Sequence, residues 1–176
     1  ELDTKTKINP DIYSLLEQAE PYYAFNPLGL VLWNRYKTQF EFFYVSDVFE
    51  DYYQNCDKRI QNIIEKSLLE LKRRLRENPT NPDLDHRLTN VKLPERFKIF
   101  KHKEENLQVR VLYRVEEYET SYKSKDFDVY VGLIAVGRDV HNAESEYVKY
   151  FEENTKKIED ISTYKLKKFK KGVSNV

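Results

Sequence analysis

Basic side chains recur on two strand-like segments in the middle of the chain. Arg110 and Arg114 are four residues apart in an alternating segment, so they share one face of a strand. Arg96 and Lys98 share a face of the preceding segment in the same way. If the two strands pair, we expect a cationic patch on the sheet surface opposite the core. Guanidinium and ammonium groups bind phosphates and offset the charge that develops when a 2′-OH attacks the adjacent phosphodiester, so this patch suits RNA.

The stretch VYVGLIAVGRDVHN, residues 129–142, adds two further candidates. Its first nine residues are apolar on both faces, which predicts a central strand. Arg138 follows directly and can join the patch from the strand end. His141 suits general acid–base work, because an imidazole titrates near neutral pH. The ordinary alternatives are a solvated sheet face that carries Lys and Arg, and a surface histidine that starts a helix.

Charge is distributed unevenly, although 30 acidic residues balance 30 Lys and Arg. Residues 1–58 hold ten acidic and five basic side chains, whereas residues 86–114 hold eight basic and three acidic ones. A basic middle segment can hold a polyanion locally while the net charge stays at zero. The lysine-rich segment YKLKKFKKG near the C-terminus adds to this basic character.

Other kinds of site lack their sequence patterns. The chain has only four glycines and no phosphate-binding glycine loop, HExxH or GxSxG motif. Three histidines and the single Cys56 do not form a zinc pattern, so we expect no cofactor and no metal. Because no run of about 18 apolar residues occurs, we expect no membrane span. The N-terminus lacks a signal-like pattern, and we expect a cytoplasmic protein.

The elements that must position these residues follow from caps and periodicity. A strand at 39–45 ends at Ser46-Asp47, a helix with an apolar face follows, and Asp57 can cap a longer helix that Asn78-Pro79 ends. Three strand-like segments, a charged hairpin loop at 116–128 and a helix over about 143–161 complete the order. This order predicts an α+β fold with helices on one face of an antiparallel sheet. The expected divisions are an N-terminal extension (1–38), the domain itself (39–161) and a basic C-terminal tail (162–176).

The ordered series Arg87-Leu88, FKIFK, VRVLYRVEE, VYVGLIAVGRDVHN and a final helix resembles the RelE/ParE superfamily of bacterial toxins. The resemblance covers about residues 39–154, including the helical hairpin. It implies a helical hairpin on one face of the sheet and a C-terminal helix. It also implies a small antitoxin partner and, for the RelE-like branch, cleavage of messenger RNA in the ribosome. No contact with a membrane and no direct contact with DNA are expected.

Position by position, the resemblance assigns roles to the basic residues. Lys98, Arg110 and Arg138 match basic residues of the family's strands, and with His141 they form the expected catalytic set. The expected RNA-binding residues are Arg87, Lys92, Arg96 and Arg114. Tyr113 matches a family aromatic, but its alternation places it in the core.

The sequence also departs from the family pattern. Phe100 stands where the family has a second lysine, and Asp139 where a second base follows the glycine. The C-terminal catalytic tyrosine has no counterpart, since Tyr147 belongs to the inner face of the last helix. Two alternatives to the ribonuclease therefore stay open. One is a ParE-like toxin that binds a protein target such as gyrase, and the other is an inactive fold relative that serves as an interaction module.

Overall fold

The computed structural model describes residues 38–78, 92–120, 123–138 and 146–172, together with Val31 and Arg35. Blocks of helices and strands follow one another along these residues, which makes the fold α+β, as predicted. The elements are β1 (Phe40–Val45), α1 (Asp47–Gln54), α2 (Lys58–Glu77), β2 (Lys98–Glu104), β3 (Leu107–Glu119), β4 (Lys125–Gly137), α3 (Glu146–Asn154) and β5 (Lys165–Lys170). Two short 3₁₀ helices, Thr155–Ile158 and Ile161–Thr163, join α3 to β5.

The chain divides into two compact units, residues 1–41 and residues 42–176. In the first unit, the Thr38 hydroxyl donates a hydrogen bond to the Arg35 carbonyl oxygen at 2.8 Å. Nearly all of the described helices and strands belong to the second unit. The described site candidates all lie in this second unit.

The strands of the described residues form one sheet in the order β2, β3, β4, β1, β5. β2, β3 and β4 pair antiparallel, but β1 runs parallel to β4, with Tyr44 opposite Tyr130 and Val45 opposite Val131. The prediction of an antiparallel sheet is therefore wrong at β1, and the sheet is mixed. A parallel pair needs a long connection, and the helical hairpin α1–α2 lies within the connection from β1 to β4. Alternation in the sequence marks strands without fixing the direction in which distant strands pair.

The helical hairpin α1–α2 forms where the sequence places caps and an apolar stripe. The Ser46 hydroxyl caps α1 by accepting from the Phe49 amide at 3.0 Å. The Asp57 carboxylate caps α2 by accepting from the Ile60 amide at 2.9 Å. α2 ends with Asn78 as its C-cap, as predicted. Its buried apolar side chains are Ile63, Ile64, Leu68, Leu71 and Leu75.

Apolar cores lie on both faces of the sheet. The hairpin-side core lies under α1 and α2 and includes Phe43, Phe100, Val111 and Tyr113. The α3-side core includes Phe97, Ile99, Leu112, Leu133, Phe151 and Ile158. The prediction that the helices share one face is therefore wrong for α3. Neighbouring residues of β2 such as Ile99 and Phe100 point to opposite faces, so both faces carry apolar side chains that need cover.

A β-bulge interrupts β4 at Gly132. The register between β3 and β4 shifts after Leu112, because Gly132 is one extra residue on β4 before pairing resumes at Tyr113. A Cβ atom at position 132 would lie 2.9 Å from both Ile158 Cδ1 and Tyr164 Oη. Glycine therefore allows the α3-side core to pack directly on the strand backbone.

Two charged segments form strands where loops or tails were expected. Glu119 at the end of β3 pairs with Lys125 at the start of β4, so most of segment 116–128 is paired strand rather than the predicted loop. In the lysine-rich segment near the C-terminus, Phe169 of β5 lies in the hairpin-side core, 5.8 Å from Phe43 between ring centroids. Both segments are rich in charged side chains, which is typical of loops. Charged residues can still form strands, because the backbone supplies the pairing and, in β5, Phe169 reaches the core.

Candidate functional site

Lys98 and Arg110 lie on opposite faces of the sheet. Lys98 is paired with Tyr113, which is 1% exposed in the hairpin-side core, as the alternation predicted for it. Arg110 is paired with Ala135, which belongs to the α3-side core. Residues directly opposite each other in an antiparallel pair have their side chains on the same face. The expected single patch therefore does not form, because the β2–β3 register places the two cations on different sides.

Arg110 is buried within the protein, with 1% of its surface exposed. Its Nη1 donates to the Val109 carbonyl oxygen at 3.1 Å, and its Nη2 donates to Gln108 Oε1 at 3.1 Å. A buried charge is costly unless it is hydrogen-bonded, and these bonds meet part of that requirement. In this arrangement the Arg110 guanidinium supports the sheet from inside and does not reach a ligand on the surface.

Two residues of the expected RNA-binding set meet at one carboxylate. The Arg114 guanidinium donates a short hydrogen bond to Glu116, and Arg96 Nη1 lies 3.5 Å from the same oxygen. Arg96 has a φ of 67° in a turn that the Phe97 amide closes on the Pro94 carbonyl oxygen, a left-handed conformation that costs an arginine free energy. Glu116 therefore offsets part of the positive charge that these arginines would offer to a phosphate.

Arg138 is exposed at the end of the central strand. β4 pairs with β3 through Gly137, and Arg138 is the next residue. Within the ranges that the structure describes, no carboxylate forms an ion pair with it. Arg87 and His141 lie outside the described residues. Of the four expected catalytic residues, Arg138 is the one that the described structure presents at the surface beside the strand end.

Tyr52 reaches the backbone just before Arg138, and Tyr150 packs against Tyr52. The Val136 amide donates to the Tyr52 hydroxyl of α1 at 3.0 Å, and the Tyr52 ring lies 5.8 Å from the Tyr150 ring of α3 between centroids. Burial raises the pKa of Tyr52, and burial together with Tyr52 and Asp51 raises the pKa of Tyr150 to about 12. Both phenols stay protonated at neutral pH and can donate a hydrogen bond to an anion. We name Arg138, Tyr52 and Tyr150 the strand-end site.

The sequence gives no local indication that these two tyrosines lie near a candidate site. The apolar stripe of α1 includes Tyr52, and Tyr150 lies beside Phe151 in the last helix, so both match ordinary core positions. The hydrogen bond from Val136 to Tyr52 spans 84 residues. A pattern within a short stretch of sequence cannot indicate a contact over that distance along the chain. The packing of α1 against β4 brings the Tyr52 hydroxyl to the Val136 amide.

A second cationic feature follows the outer edge of the sheet. β2 is an edge strand, and Lys98, Lys101 and Lys103 are exposed along it; we name these three the lysine edge. In the described part of the chain, the ammonium groups of these three lysines have no ion-pair or hydrogen-bond partner. The side chain of Lys92, exposed in the segment before β2, has none either. Lysines on edge strands commonly prevent edge-to-edge association of sheets, and they also attract polyanions.

The described residues contain no candidate metal site and no candidate membrane-spanning helix. No group of three or more His, Cys, Asp and Glu side chains there is arranged to hold a metal ion. None of the described helices combines the length and the apolar composition that a membrane crossing requires. Comparison with protein-family models, with curated proteins and with solved structures finds no match to this chain.

Proposed function

We propose that the chain is a RelE/ParE-like toxin of a toxin–antitoxin system that cleaves messenger RNA in the ribosome. The observation that carries the proposal is the strand-end site: Arg138 is exposed, forms no ion pair with a described carboxylate, and follows Val136, whose amide donates to Tyr52, itself packed against Tyr150. The ordered sequence motifs and the succession of strand, two helices, three strands and helix support it. A cytoplasmic location, where ribosomes and messenger RNA are found, is part of the same proposal.

The reaction needs no cofactor. The 2′-oxygen of one nucleotide forms a bond to the adjacent phosphorus, the bond from phosphorus to the 5′-oxygen breaks, and a 2′,3′-cyclic phosphate and a 5′-hydroxyl result. Arg138 offsets the charge that builds up on the phosphate oxygens, and the Tyr150 hydroxyl donates a hydrogen bond to one of them. His141 takes up or supplies a proton at the 2′- or 5′-oxygen. Arg110 stays buried, with its guanidinium hydrogen-bonded to Val109 and Gln108 of β3, and takes no direct part in the reaction.

Binding of the RNA backbone falls to the lysine edge. Lys98, Lys101 and Lys103 offer charge along about 17 Å of strand, since a strand rises about 3.3 Å per residue. The antitoxin that the resemblance implies would compete for the same charges with an acidic segment. Both contacts weaken as salt rises, because they depend on exposed charge.

The test is induced expression in a bacterial host, with wild type beside Arg138→Ala and Tyr150→Phe. We expect growth arrest with messenger RNA cut at regular positions within codons. Cleavage should fall about 100-fold or more in Arg138→Ala and about tenfold or more in Tyr150→Phe. Lys157→Ala is the matched control, since Lys157 is exposed and has no ion-pair partner among the described residues. Equal cleavage by wild type and Arg138→Ala would refute the proposal.

A second candidate is a protein that binds its target without cleaving RNA. The specific observation in its favour is that Lys98 and Arg110 lie on opposite faces and that Arg110 is buried. A ParE-like toxin that binds a target such as gyrase fits this arrangement. Growth arrest with intact messenger RNA and DNA-damage signalling would favour it. No arrest, even after removal of residues 1–38, would count against both toxins and favour an interaction module.

A further inference from the structure

Among the described strands, the end of β4 that carries Arg138 has a partner along one side only. On the β3 side, pairing continues to Gly137, which lies opposite Gln108. On the β1 side, the last described pair is Val45 with Val131, because the chain turns into α1 after β1. Backbone amides and carbonyls need hydrogen-bond partners wherever they are removed from water. The unpaired side of residues 132–137 must therefore find partners outside the sheet.

α1 supplies these partners from two positions. The Ser46 amide donates to the Val131 carbonyl oxygen at 3.1 Å, and the Ser46 hydroxyl donates to the Gly132 carbonyl oxygen at 2.5 Å. Six residues later, the Tyr52 hydroxyl accepts from the Val136 amide at 3.0 Å. Ser46 thus holds the strand where β1 leaves it, and Tyr52 holds the strand just before its end.

Tyr52 also touches the helix on the other side of the sheet. Its ring packs against the hairpin-side core, and the Tyr150 ring packs against the α3-side core, so their contact joins the two helical layers near the end of β4. A phenol is neutral at physiological pH, and burial raises the pKa of Tyr52 further. A neutral oxygen held by packing on both sides is a fixed acceptor for the Val136 amide.

We infer that Tyr52 is the positioning residue for Arg138, fixing the end of β4 through the Val136 amide. Arg138 follows Val136 by two residues, about 7 Å of extended backbone, so a hydrogen bond at Val136 limits where the arginine can move. The role in RNA cleavage rests on the proposed function. The fixed strand end does not, because it can be measured in the absence of any substrate.

The test measures the strand end directly in Tyr52→Phe, made in the full chain. Phenylalanine keeps the ring and its contact with Tyr150 but removes the acceptor oxygen. We expect amide exchange at Val136, followed by NMR, to rise about fivefold or more, the factor that loss of one neutral hydrogen bond gives. The backbone order parameter of Arg138 should fall in the same variant. Tyr118→Phe is the matched control, because Tyr118 is exposed and its hydroxyl contacts only an aspartate, at 3.3 Å from Asp126, among the described residues.

Separate outcomes decide the positioning role and the proposed function. Unchanged exchange at Val136, or an unchanged order parameter at Arg138, would overturn the positioning role. An unprotected Val136 amide in the wild-type chain would overturn it without any variant. Both expected changes, with RNA cleavage lowered in Tyr52→Phe and retained in Tyr118→Phe, would support it. A wild-type chain that cuts no RNA would refute the proposed function and leave the NMR result to decide the role of Tyr52.

Discussion

Replacement of Gly132 by alanine tests the packing that places the α3-side core on β4. The added Cβ would lie 2.9 Å from Ile158 Cδ1, 2.9 Å from Tyr164 Oη and 3.2 Å from Phe97 Cε1. Ordinary contacts lie at about 3.5–4.0 Å, so each neighbour must withdraw. Ile158 Cδ1 is the end of a flexible side chain. Tyr164 is less free, because its hydroxyl donates to the Ile158 carbonyl oxygen at 2.5 Å.

The expected cost combines two opposing effects. Insertion of an extra methyl group into a well-packed core costs about 1–3 kcal/mol. Replacement of glycine by alanine recovers about 0.5–1 kcal/mol, because the unfolded chain loses conformational freedom. The mid-points of these ranges predict that Gly132→Ala lowers the free energy of unfolding by roughly 1 kcal/mol, and by at most about 2.5 kcal/mol. A loss of about 1 kcal/mol corresponds to a fall in Tm of about 2–4 °C for a chain of this size.

Urea and thermal unfolding followed by circular dichroism measure this change. Gly172→Ala is the matched control, because an added Cβ there meets nothing within 4 Å. Ile158→Val removes the Cδ1 atom and alone should cost about 0.5–1.5 kcal/mol. The double variant should lose less than the sum of the two single losses, with a coupling of about 0.5 kcal/mol or more. A loss in Gly132→Ala no larger than in Gly172→Ala would refute the packing argument.

Three further perturbations have expected outcomes, two checked by unfolding measurements and the third by amide exchange. Ser46→Ala should lower the free energy of unfolding by about 1–2 kcal/mol, because the buried hydroxyl caps α1 and also bonds to β4; a loss near zero would contradict this. In Glu70→Gln, the stability difference from wild type should be complete above about pH 4.5 and vanish as pH falls toward 2. The pKa of Glu70 is lowered to about 2, chiefly by hydrogen bonds from Arg73, so the folded state favours the ionised carboxylate; a pH-independent difference would contradict this. Lys167→Gln should speed amide exchange in β5, whereas Lys170→Gln, the control, should not. The Lys167 ammonium lies 4.4 Å from the Tyr53 ring centroid and 3.0 Å from a Glu50 oxygen, and glutamine loses both interactions.

Local signals account for the parts of the fold that the sequence predicts. Ser46 and Asp57 are caps that act within three residues, and the stripe of α2 repeats at helical spacing, so both helices could be placed closely. Tyr113 was assigned to the core by alternation alone, and it is 1% exposed. The parallel pairing of β1 and the face covered by α3 depend on contacts between distant segments, and there the expectations were wrong.

The candidate site was predicted in part for the same reason. Alternation correctly placed Arg110 and Arg114 on one face of β3, but it carried no information on α3 packing over Leu112 between them. It also could not indicate that Glu116, two residues from Arg114, would bond to both Arg96 and Arg114 of the expected RNA-binding set. Tyr52 was read correctly as an inward residue of α1. Its hydroxyl acts on a strand 84 residues away, which a short pattern cannot encode.

The register of β2 on β3 limits what chemistry the basic residues can share. A shift of one residue would be needed to bring Lys98 to the face of Arg110, and the same shift would turn Ile99 and Phe100 out of their cores. Lys98 and Arg110 therefore cannot contact one phosphate while both cores stay intact. Under the proposed function, we expect cleavage at the end of β4, where Arg138 is exposed and the Val136 amide donates to the Tyr52 hydroxyl. Loss of Arg138 should then lower cleavage about 100-fold or more. Loss of Lys98 should instead weaken RNA binding and slightly reduce its salt dependence, since one phosphate contact fewer releases fewer counterions.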